Sequence, residues 1–166
     1  NRTGCTVLLE LLDIPYNGSI CFSFTVQEEV GLRGAAVAAY WYNPDLALVV
    51  DTTSAADLPE AKEHQKGTVL GKGPALTFMD QSLIVAPKLL QQLETVASNK
   101  AIPFQHRSFT AGSAEGGRIA LSKEGVPTAV ISVPCRYIHS PVSLLCLDDV
   151  KHTAIQGNEC TCREQK

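Results

Sequence analysis

The sequence lacks several features that would assign it to a specialised class of protein. No apolar run in its 166 residues approaches the roughly 20 residues that a helix needs to cross a bilayer. Positive charge is not in excess, and the formal net charge of −3 provides no basic face for nucleic acid. No CxxC pair occurs among the six cysteines. We therefore expect a protein of the reducing cytoplasm without membrane or nucleic-acid partners.

The C-terminal cysteines leave more than one interpretation open. Cys160-Thr161-Cys162 could bind a metal ion or form a strained disulfide bond. A flexible tail with free thiols is the simpler interpretation, because a chain of this length needs no covalent cross-link to fold.

What the sequence has is the composition and pattern of one ordinary folded domain. Hydrophobic residues make up 45% and charged residues 19%, which suits a chain with a core rather than a disordered one. Strand-like segments alternate with helix-like segments, which predicts an α/β fold with helices on both faces of a sheet. Helices are predicted at residues 4–13, 33–42, 86–98 and 117–123, and from Asp148 onward. Strands are predicted at residues 20–26, 46–50, 75–79, 104–109 and 128–133.

Polar side chains follow three of the predicted strands. Glu28 and Glu29 follow the strand at 20–26, Asp51 follows the next strand, and His139 follows a later one. Ligands bind at the carboxyl ends of the strands in such sheets, so we expect these side chains at one edge. Carboxylates and imidazole are ligands of zinc. A hydrolytic metal site also needs a base to take the proton of the water, and an adjacent glutamate pair supplies both roles.

Simpler interpretations of the same residues stay open. Glu28 and Glu29 could cap the following helix, where acidic side chains favour the positive end of the dipole. Asp51 could be a turn or cap residue. A lone histidine such as His139 is more often structural than a ligand. Arg136 precedes the candidate loop and either faces a substrate or lies on the surface.

Four stretches of the sequence resemble the glutamyl-aminopeptidase family of co-catalytic metallopeptidases. They are FTVQEEVGLRGA, VVDTTSAAD, KGPALTFMD and GVPTAVISVPCRYIHSP. The family includes the tetrahedral and deblocking aminopeptidases, and some of its members carry endoglucanase labels. The resemblance covers about residues 1–150. It implies a phosphorylase/hydrolase-like, three-layer α/β/α sandwich with a mixed, mostly parallel sheet. It also implies cytoplasmic hydrolysis of N-terminal residues from peptides, by enzymes that form dimers or dodecamers.

The resemblance also implies roles for individual residues. By position, Glu28 is the general base that activates a water between two divalent metal ions, zinc or cobalt. Glu29 and His139 bind one of these ions, and Asp51 binds the other. The metals would also anchor the free amine of the substrate, which makes the action that of an aminopeptidase.

A glycine-rich loop departs from the pattern of the family. Where the family usually has GTDAG, this sequence has Ser113-Ala114-Glu115-Gly116-Gly117. The resemblance places Ser113, Glu115 and Gly116 along the substrate pocket, together with Arg136. The changed loop therefore bears on specificity.

The resemblance further implies that parts of the family's site are missing. The aspartate that bridges the metals would be the residue before Asn1, and an upstream histidine ligand and a lid or dimerisation domain are also absent. We expect a single, N-terminally incomplete catalytic domain at 1–166 that has weak or no activity. One alternative is a non-catalytic binding or assembly module. A carbohydrate hydrolase, suggested only by the endoglucanase labels, is disfavoured because 6% of residues are aromatic, too few for a stacking groove.

Overall fold

A computed structural model describes residues 1–62 and 66–161 of the protein. Its helices are α1 (Arg2–Leu11), α2 (Arg33–Tyr42), α3 (Pro87–Asn99), α4 (Gly116–Ala120) and α5 (Leu147–Thr161). Its strands are β1 (Ala47–Ser54), β2 (Ala75–Leu76), β3 (Gln105–His106), β4 (Thr128–Arg136) and β5 (Leu144–Leu145). None of the helices in the described ranges is long and apolar enough to cross a bilayer.

Strand β4 is the centre of a mixed sheet with the order β1-β4-β2-β3. It pairs in parallel with β1 from Ala47↔Thr128 to Ser54↔Cys135. It pairs antiparallel with β2 and, at its end, with β5, while β2 and β3 are parallel. Almost every residue of β4 is buried. Such a continuous apolar, β-branched run is typical of a strand covered on both faces.

Helices cover both faces of β4. A Cβ atom on Gly116 of α4 would lie 3.0 Å from the side chain of Val130, so α4 packs directly on the face that carries Val130. Residues of α1 and α5 cluster around Val133, which points to the opposite face because side chains alternate along a strand. The predicted α/β/α sandwich with a mixed, mostly parallel sheet is therefore confirmed.

Two strand predictions are wrong. Residues 20–26 form no strand, because β1 pairs only with β4 in the described part of the chain and no neighbouring strand supplies a ladder of hydrogen bonds. Strand β1 also continues through Ser54, so Asp51 lies within the strand rather than after it.

The other predicted elements are present, but the strands predicted at 75–79 and 104–109 are only two residues long, as β2 and β3. The helix predicted at 33–42 is α2 without change, and β4 extends the predicted strand by three residues at its end, to Arg136. Cys160 lies near the end of α5, while Cys162 lies outside the described residues.

Candidate active site at the edge of the sheet

Residues 27–32, here called the glutamate turn, carry the predicted base and one predicted ligand between an extended segment and α2. Gln27 and Leu32 both adopt left-handed backbone conformations, with φ of 62° and 58°, and Gly31 has φ of 118°. The carbonyl of Glu28 accepts hydrogen bonds from the amides of Gly31, at 3.2 Å, and Leu32, at 2.9 Å. The backbone therefore closes on itself around Glu28.

The two ends of the glutamate turn touch each other. The amide of Gly34 donates a hydrogen bond to the carbonyl of Val26 at 3.0 Å. A Cβ atom at position 34 would lie 2.4 Å from that carbonyl oxygen. Only glycine permits so close an approach of two backbones.

The structure argues against one simple interpretation of the glutamate pair. Helix α2 begins after Leu32, has no side-chain cap of its own, and has no acidic residue in its first turn. Glu28 and Glu29 therefore do not serve as its cap.

Glu29 and His139 lie side by side. His139 Nδ1 is 3.2 Å from Glu29 Oε1, and both side chains are exposed, at 66% and 72%. His139 has a left-handed φ of 61°, three residues beyond the end of β4. The fold thus brings together an imidazole and a carboxylate that are far apart in the sequence.

Asp51 belongs to the same neighbourhood but is held by other partners. Its Oδ1 atom accepts hydrogen bonds from the side-chain amide of Asn1 and from the backbone amide of Thr52, each at 2.8 Å. Burial raises the pKa of Asp51, and these two hydrogen bonds lower it.

The surroundings of Glu28 suit a general base. Burial raises its pKa, and the negative charges of Asp51, Glu29 and Glu115 raise it further, while His139 lowers it. A carboxylate with a raised pKa holds a proton more strongly and is a better general base near neutral pH.

Glu115 is a further carboxylate close enough to affect the pKa of Glu28. The hydroxyl of Thr25 contacts both of its carboxylate oxygens, at 2.7 and 2.6 Å. Burial raises the pKa of Glu115 most, the Thr25 hydroxyl lowers it, the charge of Asp51 raises it, and the amide of Ala35 lowers it.

The remaining residues predicted to line a substrate pocket are in different settings. The guanidinium of Arg136 donates from Nε to Asp57 Oδ1 at 2.6 Å, so it is already paired. Gly116 is buried, and a Cβ atom there would lie 2.9 Å from the side chain of Leu83. Ser113 is exposed. Their predicted contact with a substrate stays a prediction.

The residue types of this site suit a divalent metal ion, but their arrangement is incomplete. Carboxylates and imidazole are suitable donors, and Glu29 and His139 are already adjacent. In the described part of the chain, however, no three or more His, Cys, Asp or Glu side chains converge closely enough to hold an ion. The residues present thus supply donors without forming a complete set.

Sequence reasoning missed the partners that hold the site residues in place. Thr25, Ala35 and Asp57 carry no motif that would mark them. The pairs that they form span long separations, with 90 residues between Thr25 and Glu115 and 79 between Asp57 and Arg136. Only the three-dimensional fold reveals such contacts.

Comparison of the sequence and the structure with known proteins places this chain among peptidases that share one fold. The glutamyl aminopeptidase of Lactococcus lactis subsp. cremoris is 35% identical over 153 residues, covering 90% of this chain and 42% of that protein. The structure matches an aminopeptidase from the archaeon Desulfurococcus kamchatkensis with a TM-score of 0.94 and 38% identity, covering 98% of this chain and 46% of that one. A PhTET1 structure described as a dodecamer matches with a TM-score of 0.81 and 31% identity, covering 96% and 47%.

The family itself matches residues 1–155, so the chain belongs to the M42 glutamyl aminopeptidases. The chain spans about half the length of the curated relatives that it matches.

Proposed function

We propose that this chain forms part of the active site of an aminopeptidase, which hydrolyses the first peptide bond of its substrates. Membership of the family supports the class of reaction. The observation that carries the proposal at the site is the approach of His139 Nδ1 to within 3.2 Å of Glu29 Oε1, next to Glu28. The raised pKa of Glu28 supports it. A cytoplasmic location stays a prediction from the sequence.

In this proposal, Glu28 moves a single proton during hydrolysis. The oxygen of a water molecule bonds to the carbonyl carbon of the first peptide bond, and the water proton passes to the Glu28 carboxylate. When the C–N bond breaks, Glu28 gives that proton to the nitrogen of the leaving amine. Glu28 thus returns to its ionised form, and water is the only co-reactant.

The carboxylates around Glu28 also suit the charge of the substrate. Glu29, Asp51 and Glu115 all act on the pKa of Glu28 and create a negative field around it. Such a field attracts the protonated amine at the start of a peptide. Unblocked peptides are therefore the proposed substrates.

Metal ions are the finer part of the proposal. Glu29 and His139 would hold one divalent ion, zinc or cobalt, and Asp51 would hold a second. Such an ion, when bound, lowers the pKa of a water molecule and polarises a carbonyl group. The described residues do not bring three donors together, so we expect metal binding and hydrolysis by this chain to be weak.

Metal titration tests the assignment of the ligands. In a calorimetric titration, we expect zinc to bind the unsubstituted chain. We expect it to bind His139→Ala at least about tenfold more weakly, because one donor is lost. His106→Ala is the matched control, since His106 forms a similar pair with Glu94, at 2.8 Å, elsewhere on the surface. Equal losses in both variants would contradict the assignment.

Hydrolysis tests the role of Glu28. With zinc or cobalt in excess, we expect slow release of nitroaniline from aminoacyl nitroanilides, and a loss of about 100-fold or more in Glu28→Gln. Glu10→Gln, on the exposed side of α1, is the control and should be unaffected. Unchanged hydrolysis in Glu28→Gln would show that another group is the base.

A further inference from the structure

The carboxylate of Glu115 forms a hydrogen bond with the segment before the glutamate turn and interacts electrostatically with the segment after it. On the side before the turn, the hydroxyl of Thr25 lies 2.7 and 2.6 Å from its two oxygens. On the side after the turn, the backbone amide of Ala35 acts on the same carboxylate and lowers its pKa. One side chain thus spans the turn that carries Glu28.

Helix α2 lacks a side-chain acceptor from its own N-terminal residue, and a carboxylate from elsewhere in the chain can supply one. The amides of Arg33 and Gly34 donate back to the carbonyls of Gln27 and Val26, at 3.2 and 3.0 Å. Ala35 is the next amide, it is buried, and α2 provides no side-chain cap. A carboxylate at this end of a helix is favoured, because the first amides of a helix carry partial positive charge.

Glu115 itself is held firmly against the sheet. Its carbonyl accepts hydrogen bonds from the amides of Arg118, at 3.0 Å, and Ile119, at 3.2 Å, at the start of α4. The next two residues are glycines that pack closely, since a Cβ atom on Gly117 would lie 2.2 Å from the Ser82 hydroxyl oxygen. Glu115 therefore links the glutamate turn to the start of α4.

We propose that Glu115 is a positioning residue that holds the glutamate turn, and with it Glu28, at the edge of the sheet. The proposal rests on the proposed function only for the role of Glu28, because the contact between Glu115 and the turn is independent of any reaction. Glu115 acts through Thr25 and Ala35. This role needs no contact with the substrate, and the place of Glu115 along a substrate pocket stays a prediction from the resemblance.

Hydrogen exchange of the metal-free protein tests the positioning directly. The amides of Leu32, Arg33 and Gly34 report on the turn, because each donates a hydrogen bond across it. In Thr25→Val, which keeps the shape of the side chain and removes the hydroxyl, we expect these amides to exchange about tenfold faster. In Thr25→Ser, which restores the hydroxyl, exchange should return towards the original rate.

Thr95→Val is the matched control. Thr95 also donates a hydrogen bond from its hydroxyl, to the carbonyl of Gln91 at 2.7 Å, but lies on α3. We expect no change in the exchange of the glutamate turn in this variant. Unchanged exchange of the turn in both Thr25→Val and Glu115→Ala would overturn the proposal.

Hydrolysis gives the second readout. If the unsubstituted chain hydrolyses aminoacyl nitroanilides, we expect Thr25→Val to lower kcat and leave KM nearly unchanged, because the base is misplaced while binding is retained. Faster hydrogen exchange with an unchanged kcat would show that the contact between Glu115 and Thr25 does not position Glu28. If the unsubstituted chain has no hydrolytic activity, the proposed function fails for it, and hydrogen exchange alone still decides whether Glu115 holds the turn.

Discussion

Asp57 joins two segments near the edge of the sheet through both of its carboxylate oxygens. Its Oδ1 atom accepts from Nε of Arg136, and its Oδ2 atom accepts from the amide of Leu70 at 2.9 Å. The side chain of Asp57 is only 6% exposed, against 27% for Arg136. Asparagine at position 57 would keep only one acceptor oxygen, so either the partly buried guanidinium or the backbone amide would lose its acceptor. That loss is more costly than losing a surface ion pair.

Asp57→Asn is therefore expected to lower the free energy of unfolding by about 1–3 kcal/mol at neutral pH. The hydrogen bond from Arg136 lowers the pKa of Asp57, so the folded state holds the ionised form. The contribution of the Asp57 carboxylate to stability is fully present above the pKa of an aspartate in the unfolded chain, about 3.9. It is lost as the pH falls through the lower pKa that Asp57 has in the folded state. Urea unfolding at several pH values measures both effects.

Asp148→Asn is the control for this comparison. Asp148 forms an ion pair with Lys151 at 3.2 Å, but both side chains are mostly exposed. Such pairs contribute about 0–1 kcal/mol. A loss of stability in Asp57→Asn no greater than in Asp148→Asn would contradict the prediction.

At the scale of elements, local sequence patterns predicted the elements whose formation depends mainly on nearby residues. The alanine-rich stretch at 33–42 is a helix with the predicted bounds, and the β-branched run at 128–133 lies within β4. Residues 20–26 have an equally strand-like composition but form no strand, because a strand requires a neighbour that composition does not report. The juxtaposition of Glu29 with His139 was expected from the sequence, but on the premise of a strand before Glu29 that the described part of the chain does not contain. The hydrogen bond between Thr25 and Glu115 was not expected, because no local sequence pattern marks it.

Two glycines in different elements should respond in opposite directions to alanine. In Gly34→Ala the new Cβ atom would meet the Val26 carbonyl oxygen at 2.4 Å, so we expect a loss of about 1–3 kcal/mol in the free energy of unfolding. In Gly157→Ala, within α5, the nearest atom is the side chain of Leu11 at 3.4 Å. There we expect a gain of up to about 1 kcal/mol, because alanine favours the helix.

Thermal unfolding of both variants provides the measurement. A Gly34→Ala protein as stable as the original would show that the ends of the glutamate turn move apart without cost. The same variant should show faster hydrogen exchange in the turn, whereas Gly157→Ala should leave the turn unchanged.

At the scale of the whole molecule, a large apolar surface lies beside the candidate site. It contains Phe24, Val37, Trp41 and Tyr42, which are 46%, 60%, 79% and 60% exposed. These side chains line a groove of about 640 Å³ between the extended segment at 23–27 and α2. Exposed apolar side chains that cluster at a groove are typical of surfaces that contact another protein molecule.

We therefore expect the chain to associate with itself as its concentration rises. Sedimentation equilibrium should show this association, and Trp41→Ser should weaken it several-fold, because Trp41 is the most exposed of these side chains. Ile84→Ser is the control, since Ile84 is 76% exposed but lies outside the groove. Equal weakening by both substitutions would show that general hydrophobicity, not the groove, drives association.

The open edge of β1 gives Asp51 a second significance. In the described part of the chain, β1 has β4 on one side and no strand on the other. A free edge that contains the run Ala47-Leu48-Val49-Val50 can pair with the same edge of another molecule. A carboxylate placed directly after that run disfavours such pairing, because it would bring negative charges from two molecules close together. We therefore expect the residue that we propose as a metal ligand also to oppose pairing of two molecules through this edge.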